Sequence, residues 1–317
     1  MIHPVPPGTR DVLPDEMREL RALTLRLAGA FDRAGYGEVS TPSIEYEDVL
    51  RRGDATAAGA GFRLFDERGQ ILALRSDPTI PIARLVANRY DSVEGPLRFS
   101  YFENAYRAVV SGSGQPREFL QGGIELIGVP GVEGDAEVIA LVVSALEEAG
   151  LRRHRVGLGD GMLYRELLRS HVPEDEHEAL LELLWRRDLP GLEARVARLQ
   201  IGEAAKEALV RVPALRGGIE ILDRVEAPAV ERLRELYELL RERGVAERVI
   251  FDLGMLRELG YYTGTIFEVY DPAVAFALGG GGRYDDLIGR FGSPRPACGA
   301  GLDVTRVHMA QIEEERL

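Results

Sequence analysis

Residues 161–246 are rich in Leu, Glu and Arg at helical spacing and almost free of strand-like alternation, whereas the segments on both sides carry it. That contrast constrains the fold more than any other feature. Before it lies 63–74, where Leu64-Phe65 and Ile71-Leu72-Ala73-Leu74 flank the polar turn Asp66-Glu67-Arg68-Gly69 as in a hairpin. Two further strand-like runs follow at 97–107 and 117–128, with a polar loop at 111–116 between them. After the helical stretch come Val249-Ile250-Phe251, a run at 261–270, a glycine run and a final helix. Strands that share one sheet across such an interruption make an α+β chain, not alternating βαβ units. The expected architecture is an antiparallel sheet core flanked by helices, built from 1–160 and 247–317, with a helical insertion module at 161–246. Helices are expected at 15–35, with Asp15 as cap and Leu20, Leu23, Leu27 and Phe31 at helical spacing, and at 133–149. A third opens at Asp77-Pro78, with Asp as cap and Pro at the first position.

Composition narrows the partners. The net charge of -13 argues against a phosphate backbone as the default partner, since gripping one usually takes a large basic face. A single cysteine, Cys298, allows no internal disulfide and fits a reducing cytosol. No basic region followed by an apolar run marks a leader, and no apolar stretch approaches the length of a membrane span. A cytoplasmic protein without membrane contact is expected. The histidines at 3, 154, 171, 177 and 308 show no metal-ligand spacing, so neither metal nor cofactor is expected.

Three constellations carry chemistry. In the first, Arg107 and Arg117 bracket the loop, where guanidinium groups can clamp phosphate or carboxylate. Gln121 and Glu125, four apart on a strand, point to one face and suit an amine or imidazole N–H. An exposed hairpin with a solvated polar face fits the same spacing. The second is Arg257-Glu258-Leu259-Gly260-Tyr261-Tyr262-Thr263-Gly264-Thr265-Ile266-Phe267-Glu268, which reads as a strand. Adjacent strand tyrosines face opposite sides, so only one of Tyr261 and Tyr262 can line a given pocket; core aromatics are the plainer reading. The third, Gly279-Gly280-Gly281-Gly282-Arg283-Tyr284-Asp285, is neither a Walker loop nor a dinucleotide fingerprint, and by spacing alone reads as a flexible turn.

Taken in order, these motifs resemble the core of a class II aminoacyl-tRNA synthetase of the histidyl type. Gly8-Thr9-Arg10-Asp11 is similar to that family's opening, 35–42 to its dimer-forming first motif, and Leu74-Arg75-Ser76-Asp77-Pro78-Thr79 to its amino-acid loop. Residues 107–125 resemble the second motif and the pocket strand behind it. Residues 259–268 and 280–285 resemble the two histidine-specific signatures, and the helical stretch falls where the family carries an insertion. The resemblance implies that Asp77 and Thr79 hold an α-amino group. It implies that Gln121 and Arg257 meet a carboxylate, with Arg107 beside them, and that Glu125 with Tyr261 or Tyr262 reads an imidazole.

The departures lie on the ATP side. Where the family's second motif reads Arg-x-Glu, the third position here is Val109, which cannot hydrogen-bond adenine. Gln115 stands where the loop usually carries an arginine. The third motif's Gly-Leu-Glu-Arg is replaced by Asp303-Val304-Thr305-Arg306, keeping Arg306 but placing a carboxylate near a triphosphate. The sequence ends at Leu317, just past this stretch, which implies a member without the anticodon-binding domain. A kept amino-acid pocket beside a degenerate ATP site is similar to the regulatory-subunit family of ATP phosphoribosyltransferase. That resemblance implies a non-catalytic subunit that activates a short-form catalytic subunit and confers feedback inhibition by histidine in the first step of histidine biosynthesis. It also implies a homodimer within a hetero-oligomer and no role for tRNA. An enzyme adenylating histidine or a related amino acid is the alternative, kept open by Arg107, Arg257 and Arg306. A binding protein for tRNA or another synthetase is a third reading, which the acidic charge disfavours.

Overall fold

The structure, a computed structural model, describes residues 4–55, 61–108, 115–256 and 260–316. Helix α1 (Pro14–Arg33) is followed by the short strands β1 (Gly37–Glu38) and β2 (Ile44–Tyr46) and helix α2 (Glu47–Gly53). The hairpin of β3 (Arg63–Phe65) and β4 (Ile71–Leu74) leads into α3 (Thr79–Arg89), then the long strands β5 (Leu97–Tyr106) and β6 (Glu118–Ile127), α4 (Gly131–Ala149) and β7 (Arg155–Asp160). Helices α5 (Leu163–His171), α6 (Glu174–Trp185), α7 (Leu189–Val196) and α8 (Glu203–Arg211), the two-residue strand β8 (Arg216–Gly217) and α9 (Pro228–Glu242) follow. Strands β9 (Val249–Asp252), β10 (Thr265–Tyr270), β11 (Ala277–Arg283) and β12 (Ala297–Asp303) and helix α10 (Val304–Glu315) come last.

Among the described residues nine strands form one sheet in the order β1-β5-β6-β12-β11-β10-β7-β9-β8, and β2-β4-β3 form a small separate sheet. The sheet is antiparallel through its middle, with β1 parallel to β5 and β7 parallel to β9. It is therefore mixed, where the sequence suggested an antiparallel one. A parallel pair needs a long crossover, and the helical stretch between β7 and β9 supplies it. Alternation along the strands splits the core in two. Ile124 and Leu126 join a cluster with α1, α4 and α10, while Leu97, Phe99, Tyr101 and Ile127 join another with α3 on the opposite face. The first cluster continues without a break into α5, α6 and α9 through Leu163, Leu180 and Leu233.

Local chemistry corrects several expectations. Helix α1 starts at Pro14 after Leu13, because Pro fits the first turn; Asp15 lies inside that turn and makes no cap. Helix α3 starts at Thr79 with Pro78 in the N-cap position, one residue later than expected; Asp77, just before it, still accepts from Ile80 N at 3.3 Å through its Oδ1. The glycine run is strand β11, not a turn. It is wedged between β10 and β12 so closely that a Cβ on Gly281 would lie 1.9 Å from Gly299 O. Strand β10 begins only at Thr265, and Tyr261 and Tyr262 sit in the turn before it. They are thus free of strand alternation, and their rings lie 4.9 Å apart on one side.

Candidate functional site

The site is built on the face of the sheet that carries α3. Gln121 and Glu125 stand on β6 opposite Glu103 and Phe99 of β5, and opposite Asp303 and Gly299 of β12. Both side chains lie across β12, which only glycine permits. A Cβ on Gly299 would sit 1.8 Å from Glu125 Oε2, and one on Gly301 would sit 1.9 Å from Gln121 Nε2.

Glu125 is 1% exposed. Thr79 Oγ1 donates to its Oε1 at 2.7 Å, and the Tyr284 hydroxyl donates to its Oε2. Burial pushes the carboxyl up to about 8 despite these two donors, and the nearby Asp77 adds to the rise. Burial also raises Asp77, opposed by the Ile80 N–H and by the charge of Arg107. Gln121 Nε2 donates to the Tyr101 hydroxyl at 3.1 Å, which leaves Gln121 Oε1 buried without a donor. The Tyr261 ring packs against Tyr262 and, at 5.7 Å, edge-on to Tyr284. Burial, then the charges of Asp77 and Glu125, push the Tyr261 hydroxyl well up, and Tyr101 responds to the same neighbours. Asp77, Thr79, Gln121, Glu125, Tyr261 and Tyr262 therefore converge. Two buried carboxyls and an unmet amide oxygen make a site short of donors, suited to a small ligand that brings N–H groups.

Arg107 stands at the edge of this group. It is exposed, its Cζ lies 4.7 Å over the Phe119 ring, and its charge opposes the rise that burial causes in both Asp77 and Asp303. Beyond it the suspected ATP-side residues form a closed cluster. Arg306 Nη2 donates to Gln115 Oε1 at 2.7 Å and Nη1 to Ala277 O at 2.9 Å, while Nε faces Asp303 Oδ2 at 3.4 Å. Its Cζ stacks 5.3 Å over Phe276. Asp303 Oδ1 caps α10, accepting from Arg306 N at 3.1 Å, and the Thr305 backbone also donates to Asp303. Val109 and Arg257 lie outside the described residues.

Sequence reasoning passed over Tyr101 and Tyr284. Tyr284 stands inside the third constellation. Tyr101 shares the parity of Phe99 on a strand whose partner at that position is Gly123, where an added Cβ would meet the Tyr101 hydroxyl at 2.4 Å. Among the described residues no group of His, Cys, Asp or Glu could hold a metal, and no helix is long and apolar enough to cross a membrane.

Comparison with known proteins fits this arrangement. The histidyl-tRNA synthetase family model matches residues 8–307. The ATP phosphoribosyltransferase regulatory subunit of Symbiobacterium thermophilum is 41% identical, over 99% of this chain and 81% of the relative. That of Bacillus subtilis is 37% identical, over 95% and 80%. An ATP phosphoribosyltransferase regulatory subunit/histidyl-tRNA synthetase from Bacillus halodurans superposes with a TM-score of 0.91 at 33% identity, over 98% of this chain and 84% of that one. A histidyl-tRNA synthetase from a Nostoc species, 20% identical with a TM-score of 0.81 over 100% and 77%, shares the fold. The chain has the class II fold and belongs to the histidyl-tRNA synthetase family. Within that family it belongs with the ATP phosphoribosyltransferase regulatory subunits.

Proposed function

We propose that this chain is a non-catalytic regulatory subunit of ATP phosphoribosyltransferase. It activates a short-form catalytic subunit and transmits feedback inhibition by histidine in the first step of histidine biosynthesis, in the cytoplasm. One contrast carries the reading. The amino-acid side of the site is left with an unmet acceptor at Gln121 and two buried carboxyls, whereas Arg306 has its donors engaged by Gln115, Ala277 and Asp303. An arginine so engaged would have to break internal bonds before it could hold a triphosphate. Histidine supplies what the open half lacks. Its ammonium suits Asp77 and Gln121 Oε1, and its imidazole suits Glu125 and the tyrosine pair. Its carboxylate suits Arg257 or Arg107. The subunit pairs with itself through 35–42 and α1, works within a hetero-oligomer and needs no tRNA.

The test mixes the purified chain with a short-form catalytic subunit. Catalytic activity should rise on mixing and fall again on adding histidine, and the chain alone should exchange no pyrophosphate into ATP. Absence of any effect on the catalytic subunit, or robust histidine-dependent exchange by the chain alone, overturns the proposal.

A further inference from the structure

Buried Glu125 is prepared for a charge that its surroundings do not balance. Each of its oxygens accepts from a hydroxyl, Oε1 from Thr79 at 2.7 Å and Oε2 from Tyr284. Donors on both oxygens suit a carboxylate. Among the described residues, however, the groups that bear on Glu125 are these two hydroxyls and a second buried carboxyl, Asp77, and none is a cation. Arg107 acts on Asp77 from the edge. The titratable groups that feel Glu125 from the other elements are Tyr101 on β5, Tyr261 before β10, Tyr284 after β11 and Cys298 on β12. All four are pushed up chiefly by burial, so all stay protonated and neutral. With burial raising Glu125 to about 8, the empty site keeps a proton on it at pH 7. Gln121 Oε1 is a further buried acceptor without a donor. Two carboxyls, an unmet amide oxygen and tyrosine rings, whose faces attract cations, make a pocket for positive charge that a ligand must bring.

Granted that histidine is the ligand, as proposed above, we infer that its ring is held as an imidazolium that takes its second proton from Glu125. On entry the Glu125 O–H bond breaks and an N–H bond forms at the unprotonated ring nitrogen. Glu125 is left as a carboxylate between its two hydroxyl donors and the charged ring. The free ring titrates at about 6.5, near enough to the empty carboxyl for a charge-assisted N–H···O bond to decide where the proton rests. The site thereby selects its ligand by the basicity of the ring as well as by its size. A ring of equal size that cannot take a second proton leaves Glu125 neutral and forfeits the ion pair.

The probes are L-histidine and β-(1,2,4-triazol-3-yl)-alanine, whose extra ring nitrogen keeps an isosteric ring neutral at pH 7. Both are titrated calorimetrically into the full chain, in two buffers of different ionisation enthalpy so that protons are counted. At pH 7 the triazole should bind about tenfold more weakly or worse. At pH 8.5 the free ring and the free carboxyl have both mostly lost the proton, so histidine binding should take up most of one proton from the buffer. Glu125→Gln should bring the two ligands to similar affinity and lose most of that uptake. Urea unfolding checks that the variant is folded, and if it is not, the triazole and the proton count in the unaltered chain carry the test. Equal affinity of the triazole, or net proton release with histidine at pH 8.5, overturns the inference and leaves histidine as the ligand. No saturable heat with histidine overturns the reading beneath it as well.

Discussion

Replacing Glu125 by Gln tests the electrostatics of the site without reference to any ligand. The amide keeps the size of the carboxyl and can still hydrogen-bond with Thr79 and Tyr284, since hydroxyl groups donate or accept. What changes is titration. In the folded chain the Glu125 carboxyl is pushed from 4.5 up to about 8, mainly by burial. Between those values the folded state keeps a proton that the unfolded state has lost. The wild type therefore loses stability as pH rises through this window, and the loss is complete above the folded value. At about 1.36 kcal/mol per tenfold change in proton affinity the full penalty is roughly 5 kcal/mol, and relaxation around the charge should reduce it to about 2–5 kcal/mol. Asp77, also raised by burial, titrates in both proteins, so its contribution largely cancels in the difference. Urea unfolding at pH 5.5, 7 and 9 gives the comparison. Glu125→Gln should gain on the wild type steadily as pH rises. A stability difference that stays flat from pH 5.5 to 9 would refute the reasoning.

Two other outcomes follow. Glu125→Ala should weaken histidine binding by roughly ten- to a hundredfold, because hydrogen bonds to charged groups are worth about 1.5–3 kcal/mol. Calorimetric titration reads this directly, and equal affinity in both proteins would move the histidine site elsewhere. Arg75→Met should destabilise the chain by about 3–5 kcal/mol. It strands Glu103 and removes the donors to Thr41 O at 2.6 Å and Asn104 O at 2.9 Å from a side chain that is 0% exposed. A urea-unfolding loss under 1 kcal/mol would show that those acceptors find other donors.

The parts of the fold set by local chemistry were legible in the sequence. The hairpin at 63–74, the paired strands β5 and β6 and the buried stripe of α1 follow from turn residues and periodicity. The glycine run was not, because its reason is non-local. Glycine weakens a strand on its own, yet here the neighbouring strand leaves no room for anything else. The tyrosine pair failed for a related reason. Alternation was applied to 261–262, but the chain turns there, with Thr263 N donating to Arg283 O at 2.8 Å, before β10 begins. The shared face of Gln121 and Glu125 was legible from strand parity. That Asp303 caps a helix was not read from its charge, although an aspartate directly before a helical stretch is a cap signal.

Arg107 is where the two halves of the site meet. It is an exposed cation whose charge acts on two carboxylates, Asp77 on the amino-acid side and Asp303 on the other. An arginine at the mouth of a phosphate site would face phosphate oxygens. Here Asp303, fixed in place as the cap of α10, lies close enough for the charge of Arg107 to oppose the rise that burial causes in its carboxyl. An ammonium group arriving beside Asp77 would draw on the same carboxylate as Arg107, and the less Asp77 offers the guanidinium, the more Asp303 must. Arg306 already faces Asp303 at 3.4 Å and holds Gln115 at 2.7 Å. The charge of Arg107 thereby bears on one carboxylate on each side of the site, Asp77 and Asp303. Asp303 thus gives Arg306 a partner within the chain itself, at both its side chain and its backbone N–H.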